Sequence, residues 1–131
     1  MIVRNHLKSL RRNQQGTTAV EFAIVAPVFI ALLVGTLSLC VGLFLIGSLH
    51  YAVEEGARCA SIKAACQVAG IPDAAATQTY AQNHYFGPNV SPTFTYTAAA
   101  CGNSVSASIS YSMNVGFRTL TVPISATACF P

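Results

Sequence analysis

From Phe22 to Leu49 the chain reads FAIVAPVFIALLVGTLSLCVGLFLIGSL, without one charged side chain. Wound as a helix at about 1.5 Å per residue, such a run is about 42 Å long, more than the roughly 30 Å hydrocarbon core of a bilayer. A soluble helix seldom stays uncharged on every face over that distance. The segment therefore reads as a membrane span.

Charge on the two sides sets the direction. Arg4, Lys8, Arg11 and Arg12 are four of the seven basic residues and all precede the run, whereas Glu54 and Glu55 follow it. Positive charge stays on the cytoplasmic side. The N-terminus is accordingly expected in the cytoplasm of a bacterial cell, and everything past about Tyr51 outside, in the periplasm. Only 8% of the residues are charged, against roughly 25% in ordinary soluble domains. Beyond residue 16 the basic groups Arg58, Lys63 and Arg118 face Glu21, Glu54, Glu55 and Asp73. The net charge of +3 thus belongs to the leader, and there is no basic body to attract nucleic acid.

An ordinary secretory signal needs small residues just after its apolar run, and Ser48, Leu49 and His50 provide no such site. A lipoprotein signal needs a small residue before its cysteine, but Leu39 precedes Cys40, which lies deep in the run. A cut ahead of the apolar run remains. The junction reads Arg11-Arg12-Asn13-Gln14-Gln15-Gly16-Thr17-Thr18-Ala19-Val20-Glu21-Phe22. Gly16 has no side chain to obstruct an extended backbone in a peptidase. Glu21 stands at the start of the span, where a carboxylate is costly unless paired or able to reach the interface. Its plain reading is a headgroup-level charge at a helix N-terminus.

This junction resembles the cleavage site of type IV prepilins and pseudopilins. Residues 16–27, with Ala52-Val53-Glu54-Glu55-Gly56-Ala57-Arg58 after the span, resemble the TadE-like family of tight-adherence (Flp-type) pilus systems. The resemblance implies removal of the leader after Gly16 by a prepilin peptidase, so that Thr17 becomes the first residue. It implies pairing of Glu21 with the free amine of a neighbouring subunit, with Phe22 typical of the junction. It also implies a non-enzymatic minor pilin or pseudopilin. Its partners would be other pilins and the inner-membrane assembly platform, besides the peptidase and membrane lipid. The alternative is an uncleaved single-pass protein whose exported domain binds a partner or ligand.

Along the span Ala23, Pro27, Ala31, Gly35, Ser38 and Gly42 recur at spacings of three and four. That makes a face of small residues, suited to close helix packing.

Past the span, Leu49, Ala52, Val53, Gly56, Ala57 and Ala60 keep a helical period toward Val68, with Gly70 and Pro72 as stops. Asp73 reads as the N-cap of a shorter helix running to about His84. Gly87 and Pro88 then break the chain. From Ser104 to Val115 apolar and polar residues alternate, the pattern of a half-buried strand. Leu120, Val122, Ile124, Ala126 and Ala128 give a second strand, joined to the first through Gly116–Thr119, and Thr93–Thr97 a third. The expected fold is α+β: a long N-terminal helix continuing into a small domain with a short helix and an antiparallel sheet of about three strands. The expected parts are a leader (1–16), a transmembrane helix (17–50) and an exported domain (51–131).

Cys59, Cys66, Cys101 and Cys129 are an even set in an oxidising compartment and read as two disulfides. If Cys59 and Cys66 share one helix, they stand about 10 Å apart and cannot bridge. Each then bonds the sheet region, as Cys59–Cys101 with Cys66–Cys129 or the crossed pair. Cys101–Cys129 stays open if the helix ends before Cys66. Cys40 reads as a packing residue of the span. No C-x-x-C spacing occurs and His50 and His84 stand apart, so no zinc site is expected. Neither G-x-S-x-G nor H-E-x-x-H occurs; no catalytic residue, metal or cofactor is expected.

Overall fold

A computed structural model describes residues 15–88, 91–114 and 118–131 of the chain. The leader before Gln15, Val115 and most of the expected Gly116–Thr119 connection lie outside these residues. Helix α1, Gln15–Ile62, is followed by a single 3-10 turn, Ala64–Cys66. Two short strands come next, β1 (Gln67–Val68) and β2 (Ile71–Pro72), then helix α2 (Ala74–Asn83). Three longer strands complete the order: β3 (Thr93–Ala99), β4 (Gly102–Asn114) and β5 (Thr119–Phe130). The three form an antiparallel sheet in the order β3-β4-β5. The α+β expectation is met.

The chain divides after Leu37 into two compact units. In the first, the described residues are helix, with Phe22, Ile24, Phe29, Leu32 and Leu37 all exposed. No described residue of the unit covers these side chains. In the second, Leu45, Leu49, Ala52, Val53 and Ala57 of α1 are buried against Phe94, Val105, Ala107, Ile109, Ile124 and Ala126 of the sheet and Ala81 of α2. The alternation expected of β4 is realised, for Val105, Ala107 and Ile109 face this core while Ser108, Ser110 and Ser112 are exposed. Burying an apolar side chain of that size contributes about 1.5–3 kcal/mol. The core therefore begins at Leu45, inside the uncharged run, and not at its end.

Gly56 sets how closely the helices approach. A Cβ at that position would lie 3.0 Å from Ala81 Cβ and 3.5 Å from Val105 Cγ2. Asp73 caps α2 as expected, its carboxylate accepting from Ala76 N at 2.8 Å.

Helix α1 ends at Ile62, short of the expected stop near Gly70. Lys63 is extended, with φ −104° and ψ 127°, and its N–H makes the last helical bond, to Cys59 O at 2.9 Å. The chain then folds back through β1 and β2, paired Gln67 to Pro72 and Val68 to Ile71. Between them Ala69 and Gly70 have φ of 52° and 80°, the backbone of a primed two-residue turn. Gly70 thus turns a hairpin and does not cap a helix.

This early stop changes the disulfide pairing. Cys59 bonds Cys66 across 5.6 Å between Cα atoms, a distance one uninterrupted helix does not allow. Cys101 bonds Cys129, with Cα atoms 6.2 Å apart. All four cysteines past residue 50 pair, but the crossovers from helix to sheet expected from a continuous helix do not form. Cys40 is free and exposed.

Two outcomes follow from this packing. Gly56→Leu forces α1 away from Ala81 and lowers stability by about 1–3 kcal/mol, the usual cost of overpacking, read as a lowered Tm. The disulfides close loops with sequence separations of 7 and 28. On the chain-entropy account C101S/C129S costs about 1 kcal/mol more than C59S/C66S, measured by thermal unfolding of the detergent-solubilised chain.

Candidate assembly and processing segment

Gly16 and Glu21 lie in the first two turns of α1 and are exposed. Gly16 has no heavy atom within 4 Å of where a Cβ would stand. Phe22 follows Glu21 at 73% exposure. The side chain of Thr17 lies outside the described residues, though its backbone is helical. The helix thus brings Gly16, Glu21 and Phe22 together at one end of a bare apolar surface. Pro27 lies inside this helix; a proline removes one backbone N–H, a loss that membrane helices tolerate.

The small-residue face has two fates. Ala31 and Gly35 are exposed, whereas Ser38 and Gly42 are half-buried. At spacings of three and four the same stripe runs on through Leu45, Leu49, Ala52 and Gly56, the residues beneath the sheet. Sequence reasoning caught the small residues but not that the stripe continues into the core face. The signal was present in the unbroken spacing from Ala31 to Gly56. Thr36 Oγ1 donates to Leu32 O at 2.8 Å, satisfying a hydroxyl that would otherwise be bare on the apolar surface.

At the other end of α1 two polar clusters hold its C-terminal turns. Lys63 Nζ lies 2.9 Å from Glu55 Oε2 and donates to Tyr80 OH at 2.6 Å. Tyr80 stacks on His84 with centroids 4.2 Å apart, and the His84 Nδ1–H donates to Tyr80 O at 2.8 Å. This chain of contacts joins α1 to α2. The Lys63 hydrogen bond holds the Glu55 carboxyl below its usual range despite some desolvation. The bonds to Tyr80 and then Glu55 hold the Lys63 ammonium above its own. On the opposite side Ser61 Oγ donates to Phe130 O at 3.1 Å and accepts from Asn103 Nδ2 at 2.8 Å. Tyr96 OH in turn donates to Asn103 Oδ1 at 2.6 Å. No motif in the sequence announces either cluster.

A groove of about 420 Å³ runs between α1 and the edge strand β5, lined by Glu54, Glu55, Arg58 and Thr127–Phe130. Its lining holds one acid pair and one guanidinium. Among the described residues no three His, Cys, Asp or Glu side chains gather as a metal site would require. Also among those residues, α1 is the one helix long and apolar enough to cross a membrane.

Residues 16–58 match the family model described as TadE-like protein, about a third of the chain. The match starts at Gly16 and takes in Glu21, Phe22 and the whole apolar run, so the resemblance read from those residues holds. No curated protein and no solved structure gives a match.

The Lys63 cluster has a defined pH dependence. Glu55, with its lowered pKa, contributes stability above the ordinary carboxylate range near 4 and loses it as pH falls below that. Lys63, with its raised pKa, contributes below about 10 and loses it as pH rises further. Burial holds the Tyr85 phenol above its usual range, so it adds to the alkaline loss. Lys63→Met is expected to cost about 0.5 kcal/mol near neutral pH, as solvent-screened pairs do. Its difference from wild type should shrink toward both extremes in a series of melting curves.

Proposed function

We propose that this chain is a minor pilin or pseudopilin of a tight-adherence (Flp-type) pilus and secretion system. One observation carries the reading. Gly16 and Glu21, five residues apart, open a bare apolar helix within the segment matched by the TadE-like model. In this reading residues 1–16 are a cytoplasmic leader, residues 17–50 the transmembrane helix and residues 51–131 the exported domain. A prepilin peptidase cuts after Gly16, and Thr17 becomes the new N-terminus. Its ammonium on one subunit would meet the Glu21 carboxylate of the next, which offsets the cost of holding either charge at the membrane boundary. The exposed face around Ala31 and Gly35 offers close approach to other pilins or to the inner-membrane platform.

The paired cysteines support an exported domain, because structural disulfides persist in oxidising compartments. The basic leader supports a cytoplasmic N-terminus and an inner-membrane location. The role is structural and concerns pilus assembly and adhesion, with no cofactor and no chemistry of its own. The competing reading keeps the leader uncut and makes the chain a single-pass protein whose exported domain binds a partner.

The mature N-terminus decides between them. Mass spectrometry of the protein from native cells should find a chain beginning at Thr17, and Gly16→Ala should leave it uncut. A native chain that still begins at Met1 would overturn the pilin reading in favour of the single-pass binding protein.

A further inference from the structure

The β4–β5 hairpin runs along α1 toward lower helix numbers, and its level can be counted. At the upper end Asn103 Nδ2 reaches Ser61 Oγ at 2.8 Å. Lower down, a Cβ on Gly56 would lie 3.5 Å from Val105. The strand therefore descends as the helix numbering falls. A strand rises about 3.3 Å per residue and a helix about 1.5 Å, so each strand residue passes about 2.2 helix residues. From Val105 to Met113 the hairpin passes about 18 helix residues at that ratio, and so reaches roughly the level of Ser38. Burial agrees, since Ser38 and Gly42 are half-buried while Leu37, Leu39 and Leu43 around them are exposed.

The membrane is counted from the other side. If the hydrocarbon begins at Phe22, just past Glu21, about 20 helical residues fill it and it ends near residue 41. The lower end of the hairpin and the outer boundary of the hydrocarbon then coincide. The register places Met113 opposite Leu120 and Tyr111 opposite Val122 at this end. Leu120 is 50% exposed, an apolar side chain open at the hairpin's lower end. Arg118, also exposed, is the one formally charged residue in the sequence beyond Asp73. Aromatic and long basic side chains are favoured at the headgroup level, where an apolar body meets acyl chain and a polar tip meets phosphate. Exposed serines and threonines dominate the outer sheet face higher up.

We propose that the lower ends of strands β4 and β5, at Tyr111, Arg118 and Leu120, sit in the headgroup layer of the outer leaflet as a second membrane contact beside α1. The proposal rests on α1 spanning the membrane. It makes lipid the occupant of this end because an exposed leucine stands two residues from a single cation, apolar body and basic tip as acyl chain and anionic phosphate require. The contact limits tilting of the exported domain relative to the bilayer while the subunit waits in the membrane.

The chain has no tryptophan, so single-tryptophan variants of the full chain report one position each. L33W, V68W and L120W all fall at exposed sites. They would be reconstituted in vesicles of phosphatidylcholine and phosphatidylglycerol brominated either near the headgroup or deep in the acyl chain. L33W should be quenched by deep bromines and L120W by shallow ones, while V68W is quenched by neither and stays open to aqueous acrylamide. Adding Arg118→Glu to L120W should reduce the shallow quenching. An L120W signal quenched by acrylamide and untouched by bromine, with L33W still quenched, overturns the hairpin contact and leaves the span intact. An L120W signal shielded from both quenchers means that protein covers this end, and also overturns it. Loss of bromine quenching at L33W overturns the membrane reading itself.

Discussion

Leu45 and Leu49 are fully buried under the sheet, while Leu43, Phe44 and Ile46 on the same turns of α1 stay exposed. One helix thus carries a stripe covered by the protein core and, on its other faces, apolar side chains that stay open. Everything else in the chain depends on that division. Below Ser38, Gly16 and residues 18–37 are exposed apart from a half-buried Ala26. A helix is one of the few structures that can do this, since its backbone polar groups are satisfied within the segment whatever surrounds it. The three-stranded sheet then needs only one anchoring stripe, and its other face can be serine and threonine.

A small domain with such a core needs additional constraint. The two disulfides provide it at the end of the domain farthest from Leu45. Cys59–Cys66 fixes where α1 stops, and Cys101–Cys129 ties the start of β4 to the end of β5. Ser61, Asn103 and Tyr96 join those two places with neutral hydrogen bonds. Lys63, Glu55 and Tyr80 do the same toward α2 with one ion pair. Solvent-screened pairs contribute little on their own, so the main restraint lies in the covalent links and the apolar stripe.

The parts that the sequence made legible are those governed by local rules. Period-two alternation gave β4 and β5, Asp73 gave the start of α2, and the absence of charge gave a helix long and apolar enough to cross a membrane. What escaped was decided by tertiary structure. Ala52 to Val68 holds good helix formers with nothing to forbid continuation before Gly70, so the stop at Ile62 is invisible to propensity. It becomes intelligible only with the Cys59–Cys66 bond and the Ala69–Gly70 turn in place, and the choice among the disulfide pairings stayed open in the sequence for the same reason. In the candidate segment Gly16, Glu21 and Phe22 stood out because a charge beside an apolar run is rare. The division of the small-residue stripe at Ser38 did not, because spacing shows that residues share a face and never what covers it.

That division bears on how such a subunit could exchange its surroundings. If α1 left the bilayer for a fibre, the side chains from Phe22 to Leu37 would trade lipid for neighbouring helices, with little change in apolar exposure. Lipid tails are as apolar as leucine, so the driving force must come from close packing and from polar pairing. Ala31 and Gly35 are the open small residues that permit the first, and Glu21 is the one charge of the segment able to supply the second. The stripe from Leu45 upward takes no part, because it is already occupied by the subunit's own sheet. In such an exchange, contacts made by α1 would be confined to its lower half and to the faces that the sheet leaves uncovered.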